Sequence, residues 1–135
     1  MVGGSQTHFE QALPYMKTYA ADVTRMGGPG TGQHTKMANQ IMAASTFVGI
    51  AESLKYAEES GIDTDHFLKV ANKCEGSSFL FEKRGPPMLK RDFTPAFTVD
   101  NYEKDLRIAS ESAQKMDLQL PGLQLSHKQY NTLKL

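Results

Sequence analysis

Gly27-Gly28-Pro29-Gly30-Thr31-Gly32-Gln33-His34-Thr35-Lys36-Met37-Ala38-Asn39-Gln40 is the stretch whose reading decides the fold. Four glycines and one proline fall within its first six residues. Such a run cannot be the interior of a helix or a strand. The 28 residues from Gln33 to Ser60 contain no proline and one glycine, Gly49. They are rich in Ala, Met, Leu, Glu and Lys, and Gly61 follows them. Propensity and stop signals together predict one helix over 33–60. At 1.5 Å per residue it is roughly 40 Å long. Met37, Ile41, Ala44, Val48 and Ala51 form one apolar stripe, and Ala43, Phe47, Ile50 and Leu54 form its neighbour. A helix apolar on nearly every face is expected at the centre of other helices.

Lys36 and Asn39 fall in the first turns of this helix. A glycine loop running into a helix N-terminus offers free backbone N–H groups and the positive end of the dipole. That potential, together with burial, favours the neutral amine of a lysine placed there. A neutral lysine is a usable general acid or base. Asn39, one turn on, can orient it or hold a substrate oxygen. The competing reading is an ordinary solvated lysine at a helix start. Two other glycine motifs do not fit. The phosphate-binding loop needs Gly-Lys-Ser/Thr at its end, but Gln33-His34 follow Gly32. The dinucleotide fingerprint needs a third glycine where Thr35 stands, and no strong strand precedes it.

Composition narrows the classes. The chain has 135 residues, enough for one domain with a proper core. Its 15 basic and 15 acidic residues cancel, so no net field favours nucleic acid or an anionic membrane as partner. The longest apolar run, about eleven residues, is too short to span a bilayer. The first residues lack the basic region and apolar core of a signal peptide. A single cysteine, Cys74, excludes an internal disulfide framework and fits a reducing compartment. A half-buried structural thiol is expected there. The expected location is cytoplasmic, or the mitochondrial matrix if the source is eukaryotic. His8, His34, His66 and His127 show no ligand spacing with Cys74 or each other, so no protein-held metal is expected.

Elsewhere the pattern is helical. Thr7-x-x-Glu10 reads as a capping box. A short or kinked helix carrying Phe9, Leu13 and Met16 follows it, with Pro14 inside. Residues 22–26 read as extended. A helix is expected from about Ile62 to Cys74, then a turn or two over 78–83 stopped by Arg84-Gly85-Pro86-Pro87. Further helices are expected over about 100–116 and 123–134, joined by a turn. The expected fold class is all-α, a helical bundle around one long central helix, with a short N-terminal α/β stump.

Gly28 to Gln40 resembles the substrate and catalytic motif of the β-hydroxyacid dehydrogenases, the family of 3-hydroxyisobutyrate dehydrogenase, tartronate semialdehyde reductase and glyoxylate reductases. A second stretch, Asp92-Phe93-Thr94-Pro95-Ala96-Phe97 through Lys104-Asp105-Leu106, is similar to the family segment in which an aromatic precedes a helix carrying Lys-Asp-Leu. The resemblance implies a Rossmann domain followed by a helical domain. On that reading residues 1–26 are the remnant of an upstream Rossmann domain of the same polypeptide. Residues 27–135 are then the helical substrate and oligomerisation domain.

The resemblance further implies NAD or NADP as cofactor, held mainly by the upstream domain, and a small hydroxy acid as substrate. Lys36 would be the catalytic lysine, with Asn39 and Gln40 beside the substrate and Gly30 and Gly32 facing its carboxylate. Lys104 would approach the cofactor, and Phe97 and Asp105 would lie near the active site. Many relatives carry two asparagines where Asn39-Gln40 stand here, and Gln40 reaches one methylene further. The long apolar helix and the family both imply a homo-oligomer. The isolated chain is expected to be inactive. The rival reading is a non-catalytic helical oligomerisation or binding module derived from the same fold.

Overall fold

The computed structural model describes residues 1–134. Its elements run β1 (Val2–Gly3), α1 (Gln6–Met16), β2 (Arg25–Gly27), α2 (Thr31–Glu59), α3 (Thr64–Ala71), α4 (Phe79–Leu89), α5 (Val99–Lys115) and α6 (Pro121–Thr132). The protein is mostly helical, with one very small sheet. Two compact units divide the chain, Met1–Gln40 and the residues from Ile41 onward. The range of α2 opens in the first and continues in the second.

In the first unit β1 and β2 pair in parallel, with Val2 opposite Arg25 and Gly3 opposite Gly27. Parallel strands need a crossover, and α1 supplies it. The Val2 N–H donates to the Thr24 carbonyl at 2.9 Å, and the Gly4 N–H to the Gly27 carbonyl at 3.0 Å. Arg25 reaches back through Nε to the Gly4 carbonyl at 3.0 Å. The cap of α1 is Ser5, whose Oγ accepts from the His8 N–H at 3.2 Å. Thr7 lies inside the helix, so the expected capping box does not form. Pro14 is accommodated near the C-terminal end of the same helix.

Helix α2 begins at Thr31, two residues before the expected start. Gly30, at φ +87°, makes the preceding turn in a conformation few other residues adopt. In the second unit the buried residues of α2 are Ala44, Ile50, Leu54 and Ala57. Met42 and Tyr56 are 65% and 75% exposed. Part of the surface of α2 is therefore left uncovered, although the sequence predicts an apolar helix covered on nearly every face. Ile50 and Leu54 join Leu68 of α3 and Phe81 of α4 in one core cluster.

Helix α4 corrects a sequence expectation. It continues through Gly85-Pro86-Pro87 to Leu89. Each proline removes one helical donor. Gly85, lacking a Cβ, relieves the clash that a residue before proline normally meets. The helix is also held by packing, because Leu80, Met88 and Leu89 sit against the core cluster. A Cβ at Gly85 would lie 2.8 Å from Leu68 Cδ2, so the glycine also sets how closely α3 approaches. Cys74 is a second correction. It lies beyond the end of α3 and is exposed, with Sγ donating to the Val70 carbonyl at 3.4 Å.

Helix α5 is capped by Thr98, whose Oγ1 accepts from the Asn101 N–H at 3.4 Å. Its inner face carries Tyr102, Leu106, Ala109 and Ala113, and α6 presents Leu123 and Ser126. The Glu103 carboxylate is buried and bridges the two helices. Lys134 Nζ donates to Oε2 at 2.7 Å, and His127 Nε2 pairs with Oε1 at 3.2 Å.

Hydrogen bonds from Lys134 and then His127 hold the Glu103 carboxyl below the usual carboxylate range. A depressed folded value means the stabilisation is complete above the unfolded value, about 4.3. It is lost as pH falls through the lower folded value. Replacing Glu103 by Gln is expected to flatten the acid side of the stability curve below about pH 4. Thermal melts of both proteins between pH 3 and 7 check this, and parallel acid limbs would contradict it.

Candidate functional site

Lys36 stands on the second turn of α2 in the first unit. The turn that launches the helix is fixed by Thr31, whose Oγ1 donates to the Gly28 carbonyl at 2.8 Å. One turn later, Thr35 Oγ1 donates to the Thr31 carbonyl at 2.7 Å. The first N–H groups of a helix have no intrahelical acceptor, so this end carries partial positive charge.

Beside it is an open cavity of about 400 Å³ lined by Met1, Val2, Gly3, Gly32, Gln33, Lys36 and Met37. Lys36 is partly buried on its wall. Strand β1 is thus a wall of the lysine cavity, a role the sequence reading of residues 1–26 as a remnant did not foresee. The signal was present in Gly3-Gly4, a second pair of glycines.

The close approach explains Gly3 and Gly32. A Cβ on Gly32 would lie 2.8 Å from the Gly3 nitrogen and 3.2 Å from the Met1 carbonyl oxygen. A Cβ on Gly3 would lie 2.8 Å from both the Gly28 carbonyl oxygen and the Gly32 nitrogen. Backbone meets backbone here, and Gly32 is buried by it. Gly30 is exposed on the turn. Asn39 is exposed and donates through Nδ2 to Gln40 Oε1 at 3.4 Å, while Gln40 is buried. The first unit therefore gathers Gly30, Gly32, Lys36, Asn39 and Gln40 on one loop and helix start.

The second unit holds the other three expected residues. Lys104 and Asp105 are adjacent on α5, and Lys104 Nζ lies 3.2 Å from Asp105 Oδ1. Asp105 is buried, whereas the Lys104 side chain is 52% exposed. An inward carboxylate thereby holds an outward ammonium. Phe97 precedes the Thr98 cap and is half-exposed, with its ring edge-on to Tyr102 at 5.8 Å between centroids. Among the described residues no cluster of His, Cys, Asp and Glu fits a metal ion. No helix among them is long and apolar enough to cross a membrane.

Residues 30–135 match the family model described as NAD-binding of NADP-dependent 3-hydroxyisobutyrate dehydrogenase. The chain belongs to the β-hydroxyacid dehydrogenase family. It is 39% identical over 132 residues to the probable 3-hydroxyisobutyrate dehydrogenase-like 1, mitochondrial, of Arabidopsis thaliana, covering 98% of this chain and 39% of that protein. It is 34% identical over 132 residues to 2-hydroxy-3-oxopropionate reductase of Escherichia coli (strain K12), covering 98% of this chain and 45% of the reductase. Among solved structures it resembles 3-hydroxyisobutyrate dehydrogenase from Salmonella typhimurium with a TM-score of 0.86 at 27% identity. That match covers 96% of this chain and 46% of the dehydrogenase.

The chain thus spans less than half the length of these β-hydroxyacid dehydrogenases. NAD(P) use is a property of the family.

The glycine contact yields a direct test. Gly32→Ala places a methyl group against the Gly3 backbone, which cannot yield as a side-chain tip would. The variant is expected to push β1 away and to speed amide exchange at Val2 and Gly4, the two N–H groups bonded to Thr24 and Gly27. Unchanged protection in hydrogen-exchange NMR would show that the approach is looser than described.

Proposed function

We propose that this chain is the helical, C-terminal half of an NAD(P)-dependent dehydrogenase of small β-hydroxy acids or the matching semialdehydes. The observation that carries the reading is Lys36, on the wall of a cavity at the start of α2, in a chain of this family. In this reading α2 is the central helix of the domain formed by residues 27–135, and residues 1–26 finish an upstream Rossmann domain.

Hydride exchange is the chemistry the nicotinamide supplies when bound. Lys36 Nζ takes the substrate hydroxyl proton in oxidation and returns it to the oxygen in reduction. Asn39 and Gln40 hold the lysine and the substrate, and the helix start with Gly30 and Gly32 faces the substrate carboxylate. Gly3 closes the same cavity. Lys104 fits a place at the cofactor's edge, because its ammonium is exposed while Asp105 fixes its position. Phe97, with half of its ring exposed, offers an apolar border for the same group. The active protein is a homo-oligomer in this reading. The rival, a non-catalytic oligomerisation module, leaves Lys36 without a task.

Lys36→Ala in the protein carrying both halves is expected to lower kcat/KM by about 10²–10⁴, the usual contribution of a positioned acid–base group. Steady-state assays with NAD and NADP across a panel of β-hydroxy acids check it. Full activity of the variant would remove Lys36 from the chemistry and favour the module. Measurable turnover by the 135-residue chain alone would instead show that cofactor binding needs no second domain.

A further inference from the structure

Tyr102 is buried in the first turns of α5, and no step of the proton or hydride exchange uses it. Its ring touches three others within the second unit. Phe47 of α2 stands edge-on to it at 6.4 Å between centroids, and Phe97 edge-on at 5.8 Å. Tyr130 of α6 lies tilted against it at 4.8 Å. Burial first, and then the nearby Tyr130 and Asp105, raises the Tyr102 hydroxyl above its ordinary range. The phenol therefore stays neutral and is a poor proton donor, which leaves the ring itself as the part that acts.

Two of the three partners are fixed by regular structure. Phe47 and Tyr130 are half-buried on their helices. Phe97 differs, because it sits on the irregular loop 90–98 with half of its ring exposed. Such a ring loses rotamer freedom when a ligand settles against it, and that loss weakens binding unless it has been met beforehand. Tyr102 meets it in two ways. Its N–H donates to the carbonyl of Thr98, the residue after Phe97, at 3.1 Å. Its ring takes Phe97 in an edge-to-face pair, with 85° between the planes, a geometry attractive beyond the area it buries. The loop aromatic is thereby carried on a ring that α2 and α6 hold from the other sides.

We infer that Tyr102 is a positioning residue, whose buried ring, clamped between α2 and α6, holds the Phe97 ring in the orientation in which it borders the nicotinamide cofactor. The inference rests on the place given to Phe97 under the proposed function. It adds a residue that touches neither cofactor nor substrate and acts through one that does.

Fluorescence titration of the protein carrying both halves with NADH and NADPH tests it, together with kcat on the panel of β-hydroxy acids. Phe97→Ala and Tyr102→Leu are each expected to weaken cofactor binding about two- to tenfold, the worth of one edge-to-face contact. In both, kcat is expected to change less than about twofold. Tyr102→Phe keeps the ring and should bind the cofactor as the unaltered protein does. In the double variant the affinity should equal that of Phe97→Ala alone, because Tyr102 then has no ring to hold. A residue that only fills the core would lower the melting temperature and leave the affinity in place. Thermal melts verify that the variants fold, and Tyr102→Met replaces Tyr102→Leu if the latter does not.

Unchanged affinity in Phe97→Ala would remove Phe97 from the cofactor border and the task of Tyr102 with it. Weakened binding in Phe97→Ala beside unchanged binding in Tyr102→Leu would overturn the positioning role alone. Additive losses in the double variant, or a Tyr102→Phe protein as impaired as Tyr102→Leu, would do the same and leave the border reading standing.

Discussion

The second unit depends on the buried stripe of α2. Ile50 and Leu54 meet Leu68 and Phe81, so α3 and α4 are held by the same two side chains. Five residues before Ile50, Ser45 takes up the other side of the helix: a Cβ on Gly122 of α6 would lie 3.1 Å from its Oγ. Phe47 touches Tyr102 of α5. Burying apolar area of this kind is worth about 25 cal/mol per Å², and short helices such as α3 have little stability without it. In the first unit the equivalent constraint is smaller in area and stricter in geometry. Gly3 and Gly32 touch through their main chains, and no side chain can be inserted there without moving one of them.

The long helix and the glycine loop before it were legible because each is a dense, local signal. Glycine and proline exclude regular structure, and a long run without proline restores it. The helix of Lys104 was legible for the same reason, through its apolar spacing at Tyr102, Leu106 and Ala109. The run of α4 through Pro86 and Pro87 was not legible. Local rules stop a helix at such a pair, whereas Met88 and Leu89 continue it through contacts with residues far away in the chain. The place of β1 at the lysine cavity was hidden for a different reason. A contact between two main chains leaves no apolar periodicity, only glycines, and those of residues 3 and 4 are too few to read alone.

The two charged positions singled out by sequence differ in what surrounds them. Lys104 has its counter-charge one residue away, in a carboxylate whose burial would be costly without a cation. The pair therefore fixes the direction of the lysine as much as it neutralises the aspartate. Lys36 stands where the free N–H groups of a helix start already supply positive potential. An anion entering that cavity meets the positive potential of the main chain at the helix start.

The prolines of α4 also bear on time. All peptide bonds of the described structure are trans. In an unfolded chain each X–Pro bond spends roughly 10–30% of its time cis. A molecule with a cis bond at Pro86 or Pro87 cannot complete α4, and Met88 and Leu89 cannot reach the core. Return to trans takes tens of seconds to minutes at 25 °C. A helix whose last turn forms within microseconds elsewhere thus waits here on a covalent rotation. Refolding of the second unit is therefore expected to divide into a fast population and a slow one that a prolyl isomerase accelerates.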